Sequence, residues 1–132
     1  MIEDLAPVPD EVTHEWWEAT RESRLLLQEC NGCKHVQHYP RVMCVSCGGF
    51  DLAWITCNGR GVVDSFTVVH RAPHPDLETP YMIARIRLDD GPTLVSRIVD
   101  SDETELACEA RVSLDWQEIS GGYRLPVFRI EQ

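Results

Sequence analysis

Hydrophobic and polar positions change period along this chain, and each change marks a new kind of element. After Pro7 and Pro9, Val12, Trp16 and Ala19 recur at i, i+4 and i+7, and Trp17 widens the stripe. That spacing predicts an amphipathic helix over residues 10–23. Asp10 and Glu11 suit its first turn by opposing the helix dipole, and Arg21 and Arg24 suit its end. Leu25-Leu26-Leu27-Gln28 then reads as a strand. From Leu52 to the end the period is two. Ala53-Trp54-Ile55-Thr56 begins this stretch, and residues 61–70 alternate and are rich in valine and threonine. Residues 81–88 place Tyr81, Ile83 and Arg85 on one side and Met82, Ala84, Ile86 and Leu88 on the other. Asp89-Asp90-Gly91 is a hairpin signal leading into residues 93–99. Residues 110–119 and 123–130 supply the last strands, joined by Gly121-Gly122.

Five or six short strands over about 80 residues fit a small closed barrel, and an OB-like barrel matches the count. The expected fold is therefore mainly β: an N-terminal helix and lead-in strand over residues 1–29, a ribbon over 30–50 and a barrel over 51–132. The loop at residues 71–80 is too proline-rich for regular structure, and such loops carry function more often than strands do.

The ribbon is defined by four cysteines. Cys30-Asn31-Gly32-Cys33 is followed by ten residues and then Cys44-Val45-Ser46-Cys47. Two C-x2-C pairs at this separation form a tetrathiolate metal site through Cys30, Cys33, Cys44 and Cys47, with one structural Zn²⁺ expected. Each pair forms a tight knuckle aiming two sulfurs at one centre, and Gly48-Gly49 let backbone amides face those sulfurs. Protein ligands at all four positions leave no coordination site for water or substrate. A disulfide within each pair is the competing reading, and iron would share the ligand set. His35 and His38 lie between the knuckles and are expected to face solvent or back the ligands rather than join them. Cys57 and Cys108 sit in apolar, strand-like contexts and read as small buried side chains.

Size and charge narrow the function. A chain of 132 residues buries about two-thirds of its unfolded surface, enough for one modest core. The ribbon segment has few large apolar residues and depends on metal-coupled folding energy, on the order of 10 kcal/mol. The net charge is −10, with Lys34 and eleven arginines against twenty-two carboxylates. A loaded tetrathiolate adds two further negative charges. Nucleic-acid binding relies on a basic footprint, so no nucleic-acid partner is expected. Met1-Ile2-Glu3-Asp4-Leu5 is acidic and has no apolar run behind a basic segment, so no secretory signal is read. No apolar run approaches the roughly 18 residues that span a membrane. A cytoplasmic protein follows, in a compartment that keeps thiols available for metal.

The order of parts resembles the acyl-CoA-associated family of rubredoxin-like zinc ribbons joined to OB folds. The resemblance rests on Leu27-Gln28-Glu29-Cys30, on Tyr39-Pro40-Arg41, and on the run from Gly59-Arg60-Gly61 to Val68-Val69-His70. Pro80-Tyr81 through Asp90-Gly91 and the closing Leu125-Pro126-Val127-Phe128 also resemble that family. Two positions depart from its pattern: Lys34 and Glu109 stand where the family usually has glycine. The resemblance implies a non-catalytic subunit that accompanies a thiolase-superfamily enzyme acting on acyl-CoA. Such enzymes include lipid-transfer-protein-like aldolases that shorten steroid side chains, and thiolases. It implies a hetero-oligomer, with acyl-CoA at or near the interface.

No nucleophile–base signature or phosphate-binding glycine loop argues against a partner role. The candidate contacts are Trp16 and Trp17 on the helix, since tryptophan is enriched at interface hot spots, with His70, Arg71 and His74 on the long loop. The bland reading packs the tryptophans on their own domain and leaves the loop groups in solvent. Two other functions stay open: an independent acyl-CoA carrier using the barrel face, and a rubredoxin-like iron protein that transfers electrons.

Overall fold

The structure, a computed structural model, describes residues 7–131. The acidic N-terminus, Met1 to Leu5, lies outside the described residues, as do Ala6 and Gln132. One helix, α1 (His14–Thr20), precedes eight strands: β1 (Leu26–Cys30), β2 (Val36–Gln37), β3 (Leu52–Thr56), β4 (Arg60–Val69), β5 (Tyr81–Leu88), β6 (Thr93–Ile98), β7 (Arg111–Glu118) and β8 (Arg124–Ile130).

The helix is shorter than its hydrophobic stripe. Asp10 Oδ1 accepts hydrogen bonds from the Val12 and Thr13 amides at 3.0 and 2.9 Å, and Thr13 Oγ1 accepts from Asp10 N at 3.1 Å. This reciprocal capping holds residues 10–13 in a turn ahead of the regular ladder. The Thr13 and Val12 amides also hold the Asp10 carboxyl below its usual pKa. Past the helix, Ser23 adopts a positive φ of 58° and turns the chain into β1.

Strands β1–β3 form an antiparallel sheet in the order β2-β1-β3. The expected division placed residues 51–56 with the barrel. They instead complete the ribbon sheet, because Leu26 to Cys30 pair in full register with Thr56 to Leu52. The remaining five strands close a barrel in the order β4-β5-β6-β8-β7. β4 is long enough to pair with β5 along its length and with β7 at its start. Its register slips between Val63 and Ser65, a bulge that bends the strand around the barrel. Gly61 lies where β4 meets both neighbours, and a Cβ there would stand 2.5 Å from the Arg87 carbonyl oxygen. No larger residue fits that crossing.

The alternation read from β5 holds: Met82, Ala84, Ile86 and Leu88 are buried, whereas Arg85 is exposed. They join Val63, Leu94, Ile98, Val112 and Phe128 in the barrel core. The same cluster continues into the ribbon through Leu25, Leu26, Leu27 and Cys57, and into the helix through Trp16. Trp16 Nε1 donates to the Leu26 carbonyl at 3.0 Å, which ties α1 to β1. Arg21 ties the helix to the β7–β8 turn, donating to Gly121 O at 2.7 Å and lying 4.0 Å above the Tyr123 ring. Helix, ribbon and barrel thus share one core. Cys57 is part of it, and burial pushes its thiol up to about 12. Cys108, by contrast, is exposed. It falls in the turn that precedes β7 rather than in a strand, so nothing covers it.

Candidate metal centre and adjoining groove

The two knuckles have the same backbone design. In the first, Lys34 N donates to Cys30 O at 2.8 Å and Cys30 N to His35 O at 2.9 Å. In the second, Gly48 N donates to Cys44 O at 2.9 Å and Cys44 N to Gly49 O at 2.8 Å. Each turn needs a left-handed residue after its second cysteine, and Lys34 (φ 67°) and Gly48 (φ 78°) supply it. Lys34, one of the two departures from the family's glycines, therefore holds the conformation that glycine adopts without strain. So does the other, Glu109, at φ 69°.

This repeat brings the Cys30, Cys33, Cys44 and Cys47 sulfurs within 4.8 Å of one another. Cys30 Sγ lies 3.7 Å from Cys47 Sγ, and Cys33 Sγ lies 3.6 Å from Cys44 Sγ. A tetrahedron with metal–sulfur bonds of about 2.3 Å has edges near 3.8 Å, so the cluster has the dimensions of a tetrathiolate metal site. All six cysteines are free thiols, which sets aside the paired-disulfide reading.

The surrounding electrostatics also suit a cation. The Cys47 amide lowers Cys44 to about 7, and the Cys33 amide lowers Cys30. At Cys47 the Gly49 amide acts downward, but the Cys30 and Cys33 thiols push it up to about 11. Four sulfurs this close resist ionising together, and a divalent cation at their centre removes the conflict.

A second feature, which the residue pattern did not disclose, holds the second knuckle in place. Gln28 and Gln37 face each other across β1 and β2 and are both buried. Gln37 Nε2 donates to Gln28 Oε1 at 2.8 Å, and Gln37 Oε1 accepts from the Val45 amide at 2.9 Å. Gln28 donates to Arg41 O and accepts from Arg41 N, each at 2.9 Å. The loop carrying Cys44 has almost no strand pairing, and these side-chain amides replace the missing ladder. Two glutamines one turn apart in a hairpin would have been the only signal.

Neither His35 nor His38 belongs to the thiol cluster. His35 is exposed, whereas His38 is half-buried. The His38 ring centroid lies 5.9 Å from that of Trp16 and 4.1 Å from that of Tyr39. Burial drives its pKa down to about 4, and its Nδ1 has no hydrogen-bond partner.

His38 lines a groove of about 840 Å³ where the helix, ribbon, loop and barrel meet. Trp16 and Trp17 flank it from α1, Tyr39 and Pro40 from the ribbon, and Leu77 from the 71–80 loop. Strands β6 and β8 form its floor through Leu94, Val95, Arg97, Leu125 and Val127. Trp16 is largely consumed by the core, while Trp17 is half-buried and packs edge-on against Trp16 and Tyr123. His70, Arg71 and His74 are not in the groove wall. His70 and Arg71 are exposed, and His74 Nδ1 accepts from the Asp76 amide at 3.1 Å. The loop contributes Asp76, Leu77 and Glu78 instead. No helix among the described residues is long and apolar enough to cross a membrane.

A four-thiol ribbon joined through one core to a five-stranded barrel defines the class: a rubredoxin-like ribbon–OB-fold protein. Residues 17–53 match the family model of the ChsH2 rubredoxin-like zinc ribbon domain, and residues 54–117 match that of the ChsH2 C-terminal OB-fold domain. The chain belongs to the ChsH2 (DUF35) family. It is similar to a solved chain of the "Ltp2-ChsH2(DUF35) aldolase" at 36% identity, covering 95% of this chain and 98% of that one with a TM-score of 0.86. It is 39% identical over 114 residues to the "Probable enoyl-CoA hydratase alpha subunit" of Thermomonospora curvata. That match covers 86% of this chain and 36% of the relative, so this chain spans about a third of that protein's length. A "DUF35 domain-containing scaffold protein" of Pyrococcus furiosus is 27% identical over 100 residues, 74% of this chain and 72% of its own.

Proposed function

We propose that this chain is a non-catalytic, zinc-containing accessory subunit of a thiolase-superfamily enzyme that acts on acyl-CoA. The enzyme class favoured is a lipid-transfer-protein-like aldolase of steroid side-chain degradation, with a thiolase as the other member of that superfamily. One observation carries the reading: the likeness to the ChsH2 chain of the Ltp2–ChsH2 aldolase runs over 95% of this chain. In this role Cys30, Cys33, Cys44 and Cys47 hold one Zn²⁺, which fixes the ribbon and leaves no open position for chemistry. The partner supplies the reacting groups, and this chain makes the complex stable and active in the cytoplasm. Contact with the partner runs over Trp17, the exposed edge of Trp16, the loop bearing His70, Arg71 and His74, and the barrel face. Acyl-CoA binds at or near that junction.

The test is an assay of carbon–carbon cleavage of an acyl-CoA by the enzyme alone, by this chain alone and by the mixture. The reading expects activity only in the mixture. Full activity of the enzyme alone, unchanged on adding this chain, would reject it. Binding of acyl-CoA to this chain alone, measured by calorimetry, would favour an independent carrier, for which the groove has a suitable volume. A colourless protein containing zinc separates it from an iron electron carrier, which absorbs visible light.

A further inference from the structure

The groove combines apolar walls, an acidic rim and Arg97, which has no ion-pair partner among the described residues. Tyr39 on the wall and Val95 and Leu125 on the floor are exposed large apolar residues, beside half-buried Trp17. Asp76, Glu78 and Glu118 are exposed and line the same opening. Arg97 is the barrel arginine that lines the groove, and most other barrel arginines are paired. Arg85 and Arg87 pair with Asp64, Arg111 with Asp89, and Arg129 with Asp100 and Asp115. Arg97 has no carboxylate partner among the described residues. Its Nε is buried without a hydrogen-bond acceptor, and its guanidinium lies 5.5 Å over the Tyr81 ring.

Arg97 lines the groove, and a guanidinium without a carboxylate partner keeps donor capacity for an acceptor. An occupant that brings an oxygen acceptor to the guanidinium is favoured. Three carboxylates on the rim make a free anion a poor candidate, and they favour a neighbour carrying Lys or Arg. Tryptophan, tyrosine and arginine together are the residue types that dominate binding energy at protein interfaces. We infer that the groove receives an apolar segment of the partner enzyme flanked by basic residues. Its apolar side chains pack on Trp17, Tyr39 and Leu125. A main-chain carbonyl accepts from Arg97, and the flanking cations face Asp76, Glu78 and Glu118. This inference rests on the subunit reading and adds to it the chemistry of the segment that docks.

The measurement is association kinetics between this full chain, loaded with zinc, and the Ltp2 subunit of the Ltp2–ChsH2 aldolase. That enzyme's own ChsH2 chain serves as the positive control. Neutralising the rim with Asp76→Asn, Glu78→Gln and Glu118→Gln should slow association about tenfold at low salt and leave dissociation nearly unchanged. Tyr39→Ala and Arg97→Gln should each speed dissociation, with about thirtyfold weaker binding. The rim residues are exposed, so those variants keep their fold; metal content verifies it for Tyr39→Ala, and a denaturant melt verifies it for Arg97→Gln. Binding that survives both sets of groove variants but is lost in Val45→Ser/Phe50→Ser on the ribbon would overturn the groove and leave the subunit reading intact. No binding by the wild-type chain, with the control positive, would overturn both.

Discussion

The ribbon and the barrel are both small antiparallel assemblies, yet different forces hold them. The barrel buries Val63, Ala84, Ile86, Val112 and Phe128 completely. In the ribbon, the residues buried around the knuckles are Cys30, Cys44, Gln28 and Gln37, while Val42, Met43, Val45 and Phe50 are exposed. Burial of apolar area is non-directional, so a barrel tolerates small losses gradually. Thiolate–metal bonds and buried amide hydrogen bonds are directional, and losing one leaves its partner unsatisfied. The same molecule therefore combines a robust half with a half that fails abruptly at single sites.

The largest expected effect comes from breaking the metal site. Cys44→Ser removes one ligand and with it metal-coupled folding energy on the order of 10 kcal/mol. Hydrogen exchange should show β1, β2 and the second knuckle losing protection, while β5 and β7 stay protected by the barrel core. A variant with full metal occupancy would contradict the four-ligand assignment.

His38 probes the seam between the two halves. Its pKa in the folded chain is about 4, below the ordinary value of 6.5, so the unfolded chain binds the extra proton first. Stability is therefore complete above pH 6.5 and falls as the pH drops toward 4, by about 3 kcal/mol in all. Denaturant melts of the wild type and His38→Gln should diverge across that window. Thiol protonation affects both chains alike and cancels in the difference.

Gln37→Ala should cost about 2 kcal/mol, because it leaves the Val45 amide without its acceptor and removes one of the two donors to Gln28 Oε1. Metal loss to a chelator should quicken in parallel. An equal loss from a barrel-surface variant such as Thr67→Ala would erase the contrast between the halves. The smallest effect has the opposite sign. Lys34→Gly should stabilise by about 1 kcal/mol by relieving a left-handed backbone. Glu109→Gly should gain less in the same melts, because Glu109 accepts two hydrogen bonds from Arg87 at 2.8 and 2.7 Å.

The features legible in the sequence were those with a period or a fixed spacing. Two-residue alternation located β5 and its buried face, and paired C-x2-C knuckles located the thiol cluster. The shortened helix was hidden because hydrophobic spacing cannot see Asp10 and Thr13 capping each other. Local pattern carries no pairing information, so alternation groups residues 53–56 with the barrel, whereas β3 pairs with β1, more than twenty residues earlier. The groove was legible only in part. Residue type points to Trp16 and Trp17, whereas Tyr39 and Arg97 gain their place in the groove through contacts between distant segments. His70 and Arg71 drew attention by residue type, and the fold leaves both exposed on the loop.

The central proposal is that this chain forms a complex with a thiolase-fold enzyme. Light-scattering mass analysis of the zinc-loaded chain mixed with a purified thiolase-fold aldolase tests it most directly. The account predicts a single species whose mass requires both chains, with an interface that buries about 1,600 Å² or more. Two separate peaks at the masses of the unmixed components would contradict it.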